Sequence, residues 1–144
     1  MKIITYTDGG SRGNPGPAAS GIYIQDELGN ELTRFGTFLG IQTNNFAEYT
    51  AIIEALSWIT THRQDVGELT NIECRMDSQL ACRQLSGIYR VKHEQIRPLF
   101  AKVQHLQQEL AVPFSFVHVP REHNKIADSE VNRALDNHMA SSIQ

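Results

Sequence analysis

The sequence holds only two cysteines, Cys74 and Cys82, in 144 residues. They make no CxxC pair and no metal-ligand spacing, which points away from a disulfide framework or a thiolate metal centre and toward reduced, inert thiols. No apolar run approaches the roughly 20 residues that a membrane helix needs. The start, Met1 to Asp8, reaches an acidic residue too soon for a secretory signal, so the chain is expected in the cytoplasm and off the membrane. Positive charge is not in excess either. The formal net charge of −3 provides no global basic field to announce a polyanionic partner. Internal repeats, low-complexity tracts and linkers are absent, so residues 1–144 are expected to form a single domain.

What is present is an ordinary globular composition, 40% hydrophobic and 20% charged. Ile3 to Thr7 is β-branched and aromatic and reads as a strand that ends at Asp8. Gly9 to Pro17 is a turn-rich break. Two strands near Ala19–Gln25 and Leu32–Phe38 are joined by the hairpin signal Leu28-Gly29-Asn30. A helix from about Asn45 to Thr61 carries Ala47, Ala51, Ile52, Ala55, Leu56 and Ile59 on one stripe, with Asn44 or Asn45 as its cap. A strand near Asn71–Met76, a helix near Gln79–Leu85 and a helix near Gln95–Leu110 follow. A last strand at Phe114–Val119 and a last helix at Ile126–Asn137 complete the chain, and the tail 137–144 is expected to fray. Strands followed by strand–helix alternation predict an α/β mixed sheet with helices packed on it.

Four acids stand at the joints of these elements. Asp8 ends the first strand, Glu48 lies in the first turn of the long helix, Asp77 follows the fourth strand, and Asp128 opens the last helix. If the first and fourth strands are neighbours, Asp8 and Asp77 lie side by side. Gathered carboxylates repel and raise one another's pKa values, and a hard cation relieves this. All-oxygen ligands favour Mg²⁺ or Mn²⁺ over zinc. Two such ions about 4 Å apart can activate a water and stabilise the leaving oxygen of a phosphodiester. Taken singly, each acid fits a blander reading as turn former, cap or partner of a helix dipole. Spacing alone does not bring the four together.

The local sequences narrow these alternatives. Thr7-Asp8-Gly9-Gly10-Ser11-Arg12-Gly13-Asn14-Pro15-Gly16 resembles the first motif of the type 1 ribonuclease H family. Thr43-Asn44-Asn45-Phe46-Ala47-Glu48 resembles the second, Asp77-Ser78-Gln79 the third, and Pro120 to Asp128 the fourth. The match runs in order from residue 2 to about 136. It implies a five-stranded mixed sheet, three antiparallel strands then two parallel, with helices on both faces. It also implies hydrolysis of the RNA strand of an RNA–DNA hybrid, with two Mg²⁺ ions or substituting Mn²⁺, leaving 5′-phosphate and 3′-hydroxyl ends. By this resemblance Asp8, Glu48, Asp77 and Asp128 are the metal-binding catalytic quartet. Ser11, Asn14, Asn44, Asn45 and Gln79 line the hybrid's minor groove, where the 2′-hydroxyl separates RNA from DNA. Thr43 meets a DNA phosphate. The tasks implied are removal of primers and stray hybrids, by a monomer that needs several consecutive ribonucleotides.

The chain departs from the family pattern in two places. Many members carry a histidine between the last strand and last helix. Here Arg121 takes that place, with His118 and His123 nearby. His118 belongs to the strand. His123 is loop-borne and is the candidate proton carrier, while Arg121 suits a phosphate. A basic extra helix found in some members is shortened, but residues 83–102 hold Arg83, Arg90, Lys92, Arg97 and Lys102 against Glu94 alone. A local positive surface of that kind serves nucleic-acid binding beside an acidic site. Two rival readings stand: a related metal-dependent DNA nuclease of the same architecture, and a catalytically silent hybrid-binding module. The set Asn14, Asn44, Asn45 and Gln79 argues against the first. The retention of all four carboxylates argues against the second.

Overall fold

The structure, a computed structural model, describes residues 1–143. Its elements are β1 (Lys2–Ser11), β2 (Gly16–Asp26), β3 (Glu31–Gln42), α1 (Asn44–Thr61), β4 (Asn71–Met76), α2 (Gln79–Leu85), α3 (Arg97–Leu110), β5 (Phe114–His118), a short 3₁₀ turn at Arg121–His123 and α4 (Lys125–Ile143). The strands form one sheet in the order β3-β2-β1-β4-β5. β1–β2 and β2–β3 are antiparallel, whereas β1–β4 and β4–β5 are parallel. This is the mixed sheet that the element order and the resemblance imply.

Side chains alternate across the sheet, as the period of two requires. Ile3, Ile22, Ile24 and Ile72 join Tyr49, Ile52, Leu56, Ile59 and Val103 in the main core beneath α1 and α3. A smaller cluster of Ala19, Val131 and Leu135, with Phe38 and Ala134 against it, seats α4 on the other face. Helices thus cover both faces, and the carboxyl ends of β1 and β4 open between them.

Several boundaries differ from the sequence reading. β1 does not stop at Asp8. It runs to Ser11 because Gly9, Gly10 and Ser11 pair with Ser20, Ala19 and Ala18 of β2, and a completed ladder outweighs the poor strand propensity of glycine. The pairing with β4 does end there, at Thr7–Met76, so Asp8 is the first residue beyond the split between the two strands. α1 is capped by Thr43, whose Oγ1 accepts from Phe46 N–H at 3.2 Å, not by Asn44 or Asn45. The helix therefore begins at Asn44, and Glu48 sits in its second turn. α3 starts at Arg97, where Pro98 fits a first-turn position that needs no donor. The tail expected to fray from 137 is helical to Ile143. Arg12 reaches Asp136 at 2.7 Å and Met139 Sδ at 2.9 Å, and the His138 ring stacks on Phe38 with centroids 3.6 Å apart, so tertiary contacts hold this last stretch.

Candidate active site

Glycine lets the helices reach the strand ends. An added Cβ at Gly9 would lie 2.2 Å from the carbonyl carbon of Ala47, so α1 rests backbone to backbone on β1. That contact carries Glu48 to Asp8, and Gly9 N–H donates to the Glu48 carboxylate. On the opposite face a Cβ at Gly21 would lie 2.0 Å from Ala127 O, and one at Gly36 would lie 2.3 Å from Glu130 O. α4 is thereby laid flush on β2 and β3, with Asp128 beside Asp8.

Carboxylate oxygens of Asp8, Glu48 and Asp77 all lie within 4.8 Å of one another. Asp128 shares a hydrogen bond with Asp8. Burial first, then the Asp77 charge and the Asp128 contact, push the Asp8 pKa up to about 8. Burial and the charges of Asp8 and Asp77 likewise hold Glu48 well above the usual carboxylate range. Glu48 Oε2 is buried with no hydrogen-bond partner among the described residues. Three crowded carboxylates, one with an orphaned oxygen, fit a hard divalent cation, whose charge supplies what the protein withholds.

The predicted substrate residues gather next to the acids. Asn44 Oδ1 accepts from Ser11 N at 2.8 Å and from Ser11 Oγ at 3.0 Å, while Asn14 Oδ1 accepts from Asn44 N at 3.0 Å. The chain before α1 and the β1–β2 connection are tied into one surface. Asn45 follows in the first turn of α1. Gln79 is exposed at the first position of α2, just after Ser78, whose Oγ caps Ala81 N at 3.2 Å. Thr43 spends an oxygen lone pair on the α1 cap, and its O–H is left to donate.

A cavity of about 370 Å³ is lined by Asp8, Ser11, Asn44, Arg121, Asp128 and Asn132, among others. Arg121 therefore faces the acids. His123, the candidate proton carrier, lines a different cavity, with Tyr6 and Tyr23. The 3₁₀ turn sends the two side chains to different sides, an outcome no linear motif reveals. His118 does end β5, and its Nε2 lies 3.2 Å from the backbone oxygen of Asp77. In the basic stretch, the Arg83 guanidinium lies over Tyr89 and donates to its hydroxyl at 2.6 Å, while Arg90, Lys92, Arg97 and Lys102 line the segment around it. Sequence reasoning missed Gly21, Gly36 and Asn124. Each is ordinary by composition, and only the packing of α4 gives it meaning.

Fold and site together define a five-stranded mixed sheet with a cluster of carboxylates gathered where its central parallel strands end, a donor set that suits a hard divalent cation. Residues 6–134 match the family model described as reverse transcriptase-like. The chain is 38% identical over 135 residues to ribonuclease HI of Halobacterium salinarum, a match that covers 94% of this chain and 65% of that protein. It is 35% identical to the bifunctional protein Rv2228c of Mycobacterium tuberculosis, covering 94% of this chain and 36% of the other. The chain thus spans about two-thirds or less of these relatives' lengths. Among solved structures, LC11-RNase H1 from a compost metagenome superposes with a TM-score of 0.89 at 46% identity, covering 96% of this chain and 98% of that one. The same enzyme bound to an RNA/DNA hybrid gives 0.89 at 44% identity, covering 95% and 99%. The chain belongs to the type 1 ribonuclease H family.

Proposed function

We propose that this protein hydrolyses the RNA strand of RNA–DNA hybrids, acting as a cytoplasmic monomer. The observation that carries the reading is the convergence of Asp8, Glu48 and Asp77, with Asp128 close against Asp8, beside the Ser11–Asn44–Asn14 cluster. The likeness to a protein solved with a hybrid supports the same substrate. Asp8, Glu48, Asp77 and Asp128 would hold two Mg²⁺ ions, for which Mn²⁺ substitutes. Bound there, the ions supply Lewis acidity for water activation and for the leaving 3′ oxygen.

The chain's own groups do the rest. The amides of Asn14, Asn44, Asn45 and Gln79 and the hydroxyl of Ser11 are small, short-reach partners for 2′-hydroxyls and base edges in the wide, shallow minor groove. Thr43 O–H donates to a DNA phosphate. Arg121, on the wall of the acidic cavity, offers a fixed planar fork to the phosphate next to the cut. Its placement favours Arg121 over His123 as the loop residue that meets the reacting strand. The basic stretch at Arg83–Lys102 adds sequence-independent attraction to phosphates.

The decisive experiment is cleavage of a strand-labelled hybrid in Mg²⁺ or Mn²⁺ by the wild type, Asp8→Asn and Asp77→Asn. Cutting of RNA alone, to 5′-phosphate ends, with both variants folded and inactive, is the expected result. A wild type that binds the hybrid and leaves it intact would show a silent module. Equal cutting of duplex DNA would show the DNA-nuclease reading.

A further inference from the structure

One buried polar side chain next to the site has no part in the chemistry of the acids and the groove. Asn124 is 1% exposed and sits between the 3₁₀ turn and α4. Its Nδ2 donates to Thr7 O at 2.8 Å, across 117 positions of sequence. That carbonyl belongs to the peptide leading into Asp8, at the point where β1 and β4 part. The Asn124 backbone carbonyl accepts from Asp128 N–H at 3.1 Å and its backbone N–H donates to Arg121 O at 3.0 Å, bonds that do not depend on the side chain. The side chain thus ties the strand of Asp8 to the junction of backbone from which Arg121 and Asp128 project.

The same side chain leaves Oδ1 buried with no hydrogen-bond partner among the described residues. An orphaned buried acceptor carries a desolvation penalty. Stability alone is a poor reason for an amide here. The geometry it imposes is a better one, because partners behind a metal ligand set its aim and spacing.

We propose that Asn124 is a positioning residue that sets the Asp8–Asp128 spacing and, through it, the affinity for the cation that Asp128 helps to hold, the weaker of the two because Asp128 stands outside the tight group of Asp8, Glu48 and Asp77. This rests on the hybrid-nuclease reading. Asn124 touches neither substrate nor cation. It acts by locking the start of α4 onto β1.

The test compares wild type, Asn124→Ala, Asn124→Leu and a control, Leu110→Ala. Leu110 is a core residue of α3, on the face of the sheet away from α4. Asn124→Leu keeps the branching and the number of side-chain heavy atoms of asparagine and removes donor and orphan together, whereas Asn124→Ala also empties the space, so the pair separates loss of the hydrogen bond from loss of packing. Mn²⁺ binding to substrate-free protein is followed by titration calorimetry and electron paramagnetic resonance. Melting is followed in chelator, and kcat and KM on a hybrid are measured against metal concentration. In both Asn124 variants the weaker Mn²⁺ step is expected to lose about 10–100-fold in affinity. The tighter step and the KM for hybrid should stay put, and excess metal should restore kcat. Leu110→Ala should melt earlier yet bind both ions as wild type does. Asn124 variants with wild-type Mn²⁺ binding, or with a loss that merely tracks melting as in the control, would overturn the proposal and leave the nuclease reading intact. A wild type that neither binds Mn²⁺ nor cuts hybrid would overturn both.

Discussion

Asp8 carries opposite instructions from folding and from catalysis. In the metal-free fold its pKa is raised from 3.8 to about 8, chiefly by burial and by Asp77. A carboxylate whose folded pKa is raised binds protons more tightly when folded. Its contribution to stability is full below the unfolded value near 4 and is lost as pH climbs through about 8. Metal-free wild type should therefore become less stable from pH 4 to pH 8, other groups being equal, and Asp8→Asn should flatten that slope. At pH 8 the variant should be the more stable by about 1–3 kcal/mol in chelator. Thermal melts across pH decide this. A variant less stable than wild type at every pH would show that Asp8 is held by partners rather than strained by its neighbours. At the same scale, Arg121→Ala should lower kcat/KM by about tenfold, the scale of one charged phosphate contact, whereas His123→Ala should change it little. Steady-state cleavage of a hybrid separates the two, and the reverse order would return His123 to the site. Local motifs suffice to name the four acids and Arg121. The sides to which Arg121 and His123 point are not legible in the same way, because a 3₁₀ turn rotates neighbouring side chains apart by an amount the letters do not encode.

Elements meet at this site through missing side chains. α1 and α4 approach the sheet closely enough that a methyl group at Gly9 or Gly21 would sit within 2.2 Å of backbone atoms. Backbone cannot yield as a flexible side chain can. Gly9→Ala and Gly21→Ala should each cost about 3 kcal/mol or more, in line with other severe core disruptions. Gly29→Ala is the useful contrast. Gly29 lies at the β2–β3 turn with φ +87 and no atom near its Cβ position, so it should cost only about 1 kcal/mol from backbone strain. Denaturant unfolding measures all three, and similar losses at all three would refute the close-packing account. Helix stripes, strand order along the chain and the hairpin are legible in the sequence because period and turn chemistry are local properties. Strand ends are not. The run Gly9–Ser11 is a poor strand former on its own and becomes strand only when β2 pairs with it.

Across the whole molecule, charge is divided rather than balanced. The net charge is −3, yet four of the 16 acids are gathered between β1, β4, α1 and α4, while Arg90, Lys92, Arg97 and Lys102 lie along the α2–α3 segment. Neutralising Lys92 and Arg97 together should raise the KM for hybrid and leave kcat unchanged. It should also reduce the salt slope of binding by about one for each phosphate that is no longer neutralised. Binding measured over a salt series tests this, and an unchanged slope would assign those residues to a solvated face. Metal should act on the whole fold as well. At about 100 times its dissociation constant a bound cation adds about 2.7 kcal/mol of stability. Wild type should melt higher in Mn²⁺ than in chelator, and Asp8→Asn should not. Composition, periodicity and four short motifs are enough to establish one α/β domain, its order of elements, its family resemblance and the candidate acids, because each of these is written in neighbouring residues. Tertiary structure alone decided that the acids meet, that α4 is held onto β1 and β3 as far as His138 and Met139, and that the Asn124 side chain reaches Thr7. Those outcomes depend on strand register and on helices seated against glycine backbone, and both are set by contacts between residues tens of positions apart.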